Sequence, residues 1–383
     1  MAALSVGHLA TDFAGGTLPA LLPFFVDEFG LSYTFAALLM LAWALSSSVI
    51  QPLFGLWSDR RGAIWLLPAG VAVGGIGMGL AAASSAYWLV ILFIVFSGLG
   101  TAAYHPEGSK FAAYASGRRR ASGMALFSIG GNVGYALGAL ATTPIILALG
   151  LDGGLLLLVP CVGVAVFLVA VTPYLRGFLP ERGAGAARAG ANDTRALSIL
   201  LAVIAFRSLA WFGLLTFVPL WEVSLGHSKQ YGNNVLTAML FAGGVGTLLG
   251  GPLADRFGLR AVLLGSNLII GPLILVFLLA GGLAGAAALV LVGAAVVGTF
   301  GVTMVMSQEY LPGHIGMASG LSIGFSIGLG GIAAVALGAV ADSVDLRTSF
   351  YVCAAAPAAA VALTLLLPRG RPHVRLEPEI AVP

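Results

Sequence analysis

Apolar runs of about twenty residues, separated by short polar breaks, recur along the whole chain. A helix needs roughly 20 consecutive apolar residues to cross the hydrocarbon core of a bilayer. Runs of that length fall at 4–25, 34–57, 63–83, 86–105, 121–149 and 153–175. Six more fall at 197–221, 233–253, 261–281, 284–306, 315–341 and 348–368. Between the sets, 176–196 is the one long polar stretch, rich in Gly, Ala and Arg, and reads as a flexible linker. The pattern predicts an all-α membrane protein of twelve transmembrane helices in two six-helix bundles, 1–175 and 197–368, with a polar tail at 369–383. No Lys or Arg precedes the first run and no small-residue cleavage signature follows it, so a retained span is expected there rather than a signal peptide.

The halves repeat. Gly55-Leu-Trp-Ser-Asp59-Arg60-Arg61-Gly62 recurs as Gly251-Pro-Leu-Ala-Asp255-Arg256-Phe257-Gly258, and the shift of 196 residues from Asp59 to Asp255 also carries Pro23 onto Pro219. Ala121-Ser-Gly-Met and Phe127-Ser-Ile-Gly recur as Ala318-Ser-Gly-Leu and Phe325-Ser-Ile-Gly at nearly the same shift. One register covers both bundles, which predicts pseudo-symmetry.

Composition narrows the class. Charged residues make up 9% of the chain and hydrophobic ones 59%, whereas a soluble domain carries about a quarter charged. Cys161 and Cys353 both lie in apolar runs and give neither a disulfide framework nor a metal cluster. The net charge of +3 does not point to nucleic acid once positions are mapped: of 18 Lys and Arg, all but Lys229, Arg347 and Arg207 fall in segments on one side of the twelve-span topology. The positive-inside rule makes that side, with both termini, cytoplasmic. No phosphate-binding Gly-x-x-x-x-Gly-Lys-Ser/Thr loop, His-Glu-x-x-His motif or serine elbow is present. An ATP-driven pump and an enzyme are therefore disfavoured, no cofactor is expected, and energy must come from a gradient.

Ionisable residues inside the spans are the candidates for chemistry, because burying charge in lipid is costly and usually functional. His8 and Asp12 are four apart and share a helix face, with Asp12 about 12 Å into span 1. Arg207 lies about 15 Å into span 7 and, at the 196 shift, matches Thr11 beside Asp12. Its planar fork suits a carboxylate, phosphate or phosphonate; the other reading is an ion pair to Asp12 that fixes the halves together. His105 and Glu107 flank Pro106, which places them about 30 Å from the outer end of span 4, at the cytoplasmic mouth. There they either exchange protons with each other or cap a helix end. Glu309 is the matching interfacial residue after span 10. Asn132, Tyr135, Trp43 and Trp211 are candidates for a substrate cavity or for plain packing. Glycine stripes at 130, 134 and 138 and at 320, 324 and 328 predict close helix contacts.

Two six-helix repeats and the Gly-x-x-x-Asp-Arg-x-Gly loops resemble the major facilitator superfamily, in which substrate sits at the midplane between the halves. Gly7-His8-Leu9-Ala10-Thr11-Asp12, Gln51-Pro52-Leu53-Phe54-Gly55, Tyr104-His105-Pro106-Glu107-Gly108-Ser109 and Gly130-Gly131-Asn132-Val133-Gly134 further resemble the fosmidomycin-resistance family of bacterial efflux proteins. The resemblance implies a proton-coupled exporter of a small anionic or amphiphilic compound, a monomer in the bacterial inner membrane whose partners are protons, solute and lipid. It implies proton coupling at Asp12, His8, His105 and Glu107, and gating by Asp59, Arg60, Asp255 and Arg256. It also implies that spans 5 and 11 move against helices of the opposite half. The Gly-Pro that closes the span 5 stripe of the superfamily's antiporters is absent, since Ala139 follows Gly138. Import of a small organic acid or sugar by symport or uniport is the alternative. The topology predicts that cysteines placed at 118 and 182 label from the same side of the membrane; labelling from opposite sides contradicts it.

Overall fold

The computed structural model describes residues 1–61, 63–116, 120–177, 192–312 and 315–368, without the side chains of 59–61, 120–122, 315, 316 and 319. Most of the expected linker, at 178–191, and the tail at 369–383 lie outside the described residues. The described residues contain no strand. Helices follow from the composition, because a span in lipid must satisfy every peptide group within itself.

The first half contains α1 (Ala2–Phe29), α2 (Tyr33–Ser48), α3 (Gln51–Arg61), α4 (Leu66–Ala82), α5 (Tyr87–Ala115), α6 (Arg120–Leu149) and, after a 3-10 turn at Leu151–Leu157, α7 (Leu158–Arg176). The second contains α8 (Thr194–Ser224), α9 (Lys229–Phe257), α10 (Leu259–Ala280), α11 (Gly282–Gly298), α12 (Phe300–Tyr310), α13 (Ile315–Ser343) and α14 (Leu346–Leu366). Eleven stretches are long and apolar enough to cross a membrane, with α2 and α3, the 3-10 turn and α7, and α11 and α12 each counting as one. The 17-residue α4 completes the twelve spans. Polar residues start several helices: Ser32, Asp193, Ser228 and Asp345 accept the N–H of Phe35, Ala196, Tyr231 and Thr348. Gly30, in the left-handed region at φ 61°, ends α1.

Three spans depart from expectation. The run 34–57 is two helices, broken at Val49 and Ile50. Just before the break, the Ser46 hydroxyl donates to the Ala42 carbonyl at 2.7 Å and that of Ser47 to Ala44 at 3.1 Å, bonds that bend a helix. Pro52 then has no N–H to offer the Ser48 carbonyl. The run 284–306 breaks at Thr299, where the backbone stands at φ −101°, ψ 7°. Conversely, the span expected to end at 105 continues through Pro106 to Ala115, so His105 lies inside the helix instead of at its mouth.

Contacts between the halves lie mainly at the face away from the chain ends, here the far face. Asp342 of α13 accepts the N–H of Tyr33 and Thr34 at 2.8 and 2.9 Å. Asn233 of α9 donates to the Ala20 carbonyl at 3.0 Å and to the Thr143 hydroxyl at 2.6 Å. Lys229 pairs with Asp27. Nearer the terminus face, Asn132 of α6 donates to Thr247 of α9 at 3.0 Å. Closer to that face Leu53, Leu56 and Met317 stand exposed. The halves are joined at the far face and parted at the terminus face.

The α6 glycines make the close helix contact their spacing predicts. Gly130, Gly134 and Gly138 lie against the carbonyl oxygens of Ser5, Leu9 and Phe13, so this stripe packs α6 on α1 of its own half and not on the opposite half. A methyl at Gly134 would strike backbone that cannot yield, whereas Gly301 has open space around it. Gly134→Ala is therefore expected to destabilise the protein by about 1–3 kcal/mol and Gly301→Ala to stabilise it by up to ~1 kcal/mol, read as opposite shifts in thermal unfolding midpoint.

Candidate functional site

The interior helix α1 is buried over most of its length, and the few polar groups on it must find partners on the helices around it. His8 and Asp12 stand one turn apart, with Nε2 of His8 3.3 Å from Oδ2 of Asp12. From α5, His105 places its Nε2 3.2 Å from the other carboxylate oxygen and 3.1 Å from Nε2 of His8. The neighbouring Tyr104 fixes α5 there, its hydroxyl donating to the Leu4 carbonyl at 2.6 Å. From α6, the Phe127 carbonyl lies 2.8 Å from Nδ1 of His8, with the Phe127 ring stacked 4.1 Å from the imidazole. Gly131 leaves the room, since a methyl there would come within 2.5 Å of both His8 Nε2 and Asp12.

These contacts constrain the protons. A carbonyl only accepts, so Nδ1 of His8 carries hydrogen, and Nε2 carries one only when the ring is cationic. That Nε2 faces both a carboxylate oxygen of Asp12 and Nε2 of His105. Asp12 and His105 are partly open, at 20% and 24% side-chain exposure, so protons can reach the cluster. Among the described residues it is the one group of three His, Cys, Asp or Glu side chains close enough to share a cation.

The His105 partner is thus Asp12, at depth, and not Glu107 as the sequence implied. Glu107 turns away, 1% exposed, pairs with Lys110 at 2.7 Å and accepts a hydrogen bond from Ser58. It fastens α3 to α5. Arg207 is 6% exposed and makes no ion pair with Asp12. Nη1 donates to Asn267 at 2.6 Å and Ser266 at 3.3 Å on α10, and Nη2 to the Val296 carbonyl at 2.9 Å and the Thr299 hydroxyl at 2.5 Å. The guanidinium therefore sits on the carbonyl end of α11, where the helix dipole favours a cation.

Other candidates spread around these two centres. Trp43 and Tyr135 meet edge to face at 6.5 Å, both beside Gly15, and the buried Trp43 indole N–H has no partner. Asn132 is half-buried and bonded across the halves, and Trp211 is half-buried against the core. Asp255 and Arg256 are exposed at the end of α9. The side chains of Asp59 and Arg60 lie outside the described residues. Sequence reasoning missed the Phe127 carbonyl, which no side-chain motif announces, and also Asn267 and Asp342. Asn267 was visible as a polar residue inside an apolar run and Asp342 as the acid directly after one.

The family model described as Major Facilitator Superfamily matches residues 4–232 and 200–381. The chain belongs to the major facilitator superfamily. Within it, the chain is 34% identical over 382 residues to YfnC, an MFS-type transporter of Bacillus subtilis (strain 168), covering 95% of this chain and 91% of that protein. It is 31% identical over 379 residues to the Fosmidomycin resistance protein of Escherichia coli (strain K12), covering 97% and 93%. Its fold is similar to that of a bacterial homolog of the human lysosomal transporter Spinster, inward-facing and occupied, with a TM-score of 0.78 at 17% identity over 95% of each chain. It is also similar to the transporter FucP in the outward conformation, with a TM-score of 0.67 at 17% identity over 96% and 98%. This transporter therefore keeps a titratable cluster in one half and a fixed cation in the other. Because an ammonium cannot span acceptors on both α10 and α11, Arg207→Lys is expected to cost on the order of 1–3 kcal/mol. A thermal midpoint equal to that of the unsubstituted protein contradicts this assignment.

Proposed function

We propose that this transporter is a proton-coupled secondary carrier that exports a small anionic or amphiphilic compound by alternating access in a bacterial inner membrane. The observation that carries the reading is the His8–Asp12–His105 cluster, three ionisable groups in mutual contact at membrane depth. The likeness to the Fosmidomycin resistance protein supports the outward direction and the solute class.

Each centre has a chemical role. Asp12 stays positioned to hold a proton delivered to either imidazole, and its partly open face lets the proton enter from the space between the halves. Arg207 contributes charge more than contact: its donors are committed to neutral groups, so its positive field is left for an anion. Trp43, Tyr135, Asn132 and Trp211 line the route as apolar and amide surface, while Asp59, Arg60, Asp255 and Arg256 act at the helix ends as gates. Glu107 contributes by holding α3 to α5. An anion near the cluster favours its protonated form, and by linkage a bound proton favours the anion. That cooperation by itself suits symport, so uptake of a small organic acid is the second reading, and export rests on the likeness to the Fosmidomycin resistance protein.

The expected outcome is measured in proteoliposomes with fosmidomycin and a panel of organic anions. Wild-type protein accumulates solute under a pH gradient and exchanges it at symmetric pH. Asp12→Asn keeps shape and hydrogen bonding but has no carboxylate to titrate, so it retains exchange and loses gradient-driven accumulation. Accumulation that persists in Asp12→Asn removes Asp12 from the coupling step, and solute movement from the opposite side under the same gradient selects import over export.

A further inference from the structure

Where the halves meet, α2 of the first lies antiparallel to α13 of the second, and the gap between them is graded. A methyl group at Gly338 would come within 2.8 Å of the Tyr33 carbonyl oxygen, and one at Gly331 within 2.7 Å of Ala44. At Gly328 the nearest atom is the Ser48 hydroxyl at 3.4 Å, at Gly324 the Ser48 carbonyl at 3.9 Å, and at Gly320 nothing lies within 4 Å. The two helices touch at the far face and diverge steadily toward the terminus face.

At the closed end, Asp342 follows Gly338 by one turn and shares its side of α13. Its two carboxylate oxygens accept the N–H groups of Tyr33 and Thr34 at 2.8 and 2.9 Å. These belong to the first turn of α2, whose N–H groups have no partner within the helix and whose dipole favours an anion. Ser32 accepts the next one, from Phe35. A helix of the first half therefore has its start capped by a carboxylate of the second. Both bonds exist only while the far face is shut; once it opens, water takes the N–H groups and the carboxylate, so the contact is reversible.

We propose that Asp342 is the latch that holds the far side closed, and that Gly338 supplies the clearance in which it seats. The Lys229–Asp27 pair and the Asn233 bonds close the other seam, α9 against α1 and α6, and none of them caps the N–H groups of a helix start. The proposal rests on the alternating-access reading.

The test is the distance distribution between spin labels at two pairs of exposed positions in purified protein: Glu28 with Val344 across the far face, and Leu53 with Met317 across the terminus face. Asp342→Ala removes the acceptors and Gly338→Ala forces the helices apart by an independent route. Both are expected to raise the ratio of far-open to far-closed molecules about tenfold, equivalent to ~1.4 kcal/mol, with the terminus-face distance shortening in step. Asp342→Asn, which keeps one acceptor oxygen without the charge, falls between. A wild type that shows both populations while all three variants match it overturns the latch alone. A single fixed population in every form, with transport intact, overturns alternation as well.

Discussion

Hydrocarbon offers nothing to hydrate a charge or an unpaired peptide group, and the rest of the molecule follows from how the chain meets that constraint. The backbone meets it by folding into helices, and the broken helices show where another group had to step in. At the Thr299 break the Val296 carbonyl accepts the Thr299 N–H at 3.4 Å and hydroxyl at 3.3 Å, and Arg207 adds a bond at 2.9 Å. The interrupted helix thus helps to satisfy a buried cation that lipid could not.

The two halves solve the problem of a buried charge in opposite ways. At repeat-related positions in α1 and α8 stand Thr11, beside Asp12, and Arg207. In the first half three ionisable groups, His8, Asp12 and His105, stand in mutual contact. In the second the guanidinium cannot shed its proton and is held by neutral oxygens. A cluster of ionisable groups in one half and a fixed cation in the other is the electrostatic asymmetry on which the proposed coupling rests.

Most of the helical architecture was legible in the sequence because apolar run length is a one-dimensional signal. Helices cover all twelve runs. The His8–Asp12 pairing was legible too, since four residues fix it on one helix. What was not legible depended on where a helix stops or which helix lies beside it. Pro106 reads as a terminator, yet α5 passes through it, and this moved His105 from the mouth to the cluster. The glycines of α6 and of α13 look alike in sequence, but one set packs within its half and the other faces the opposite half. Spacing along a chain does not say which neighbour a stripe meets.

The group that fixes the proton arrangement of His8 is the Phe127 peptide carbonyl. Any residue at 127 supplies a carbonyl, so this hydrogen bond is indifferent to the side chain there. What it requires is that α6 remain seated on α1, which depends on Gly130, Gly134 and Gly138. The hydrogen bond to His8 can therefore be lost through a substitution at a small, uncharged packing position that alters no polar group at all.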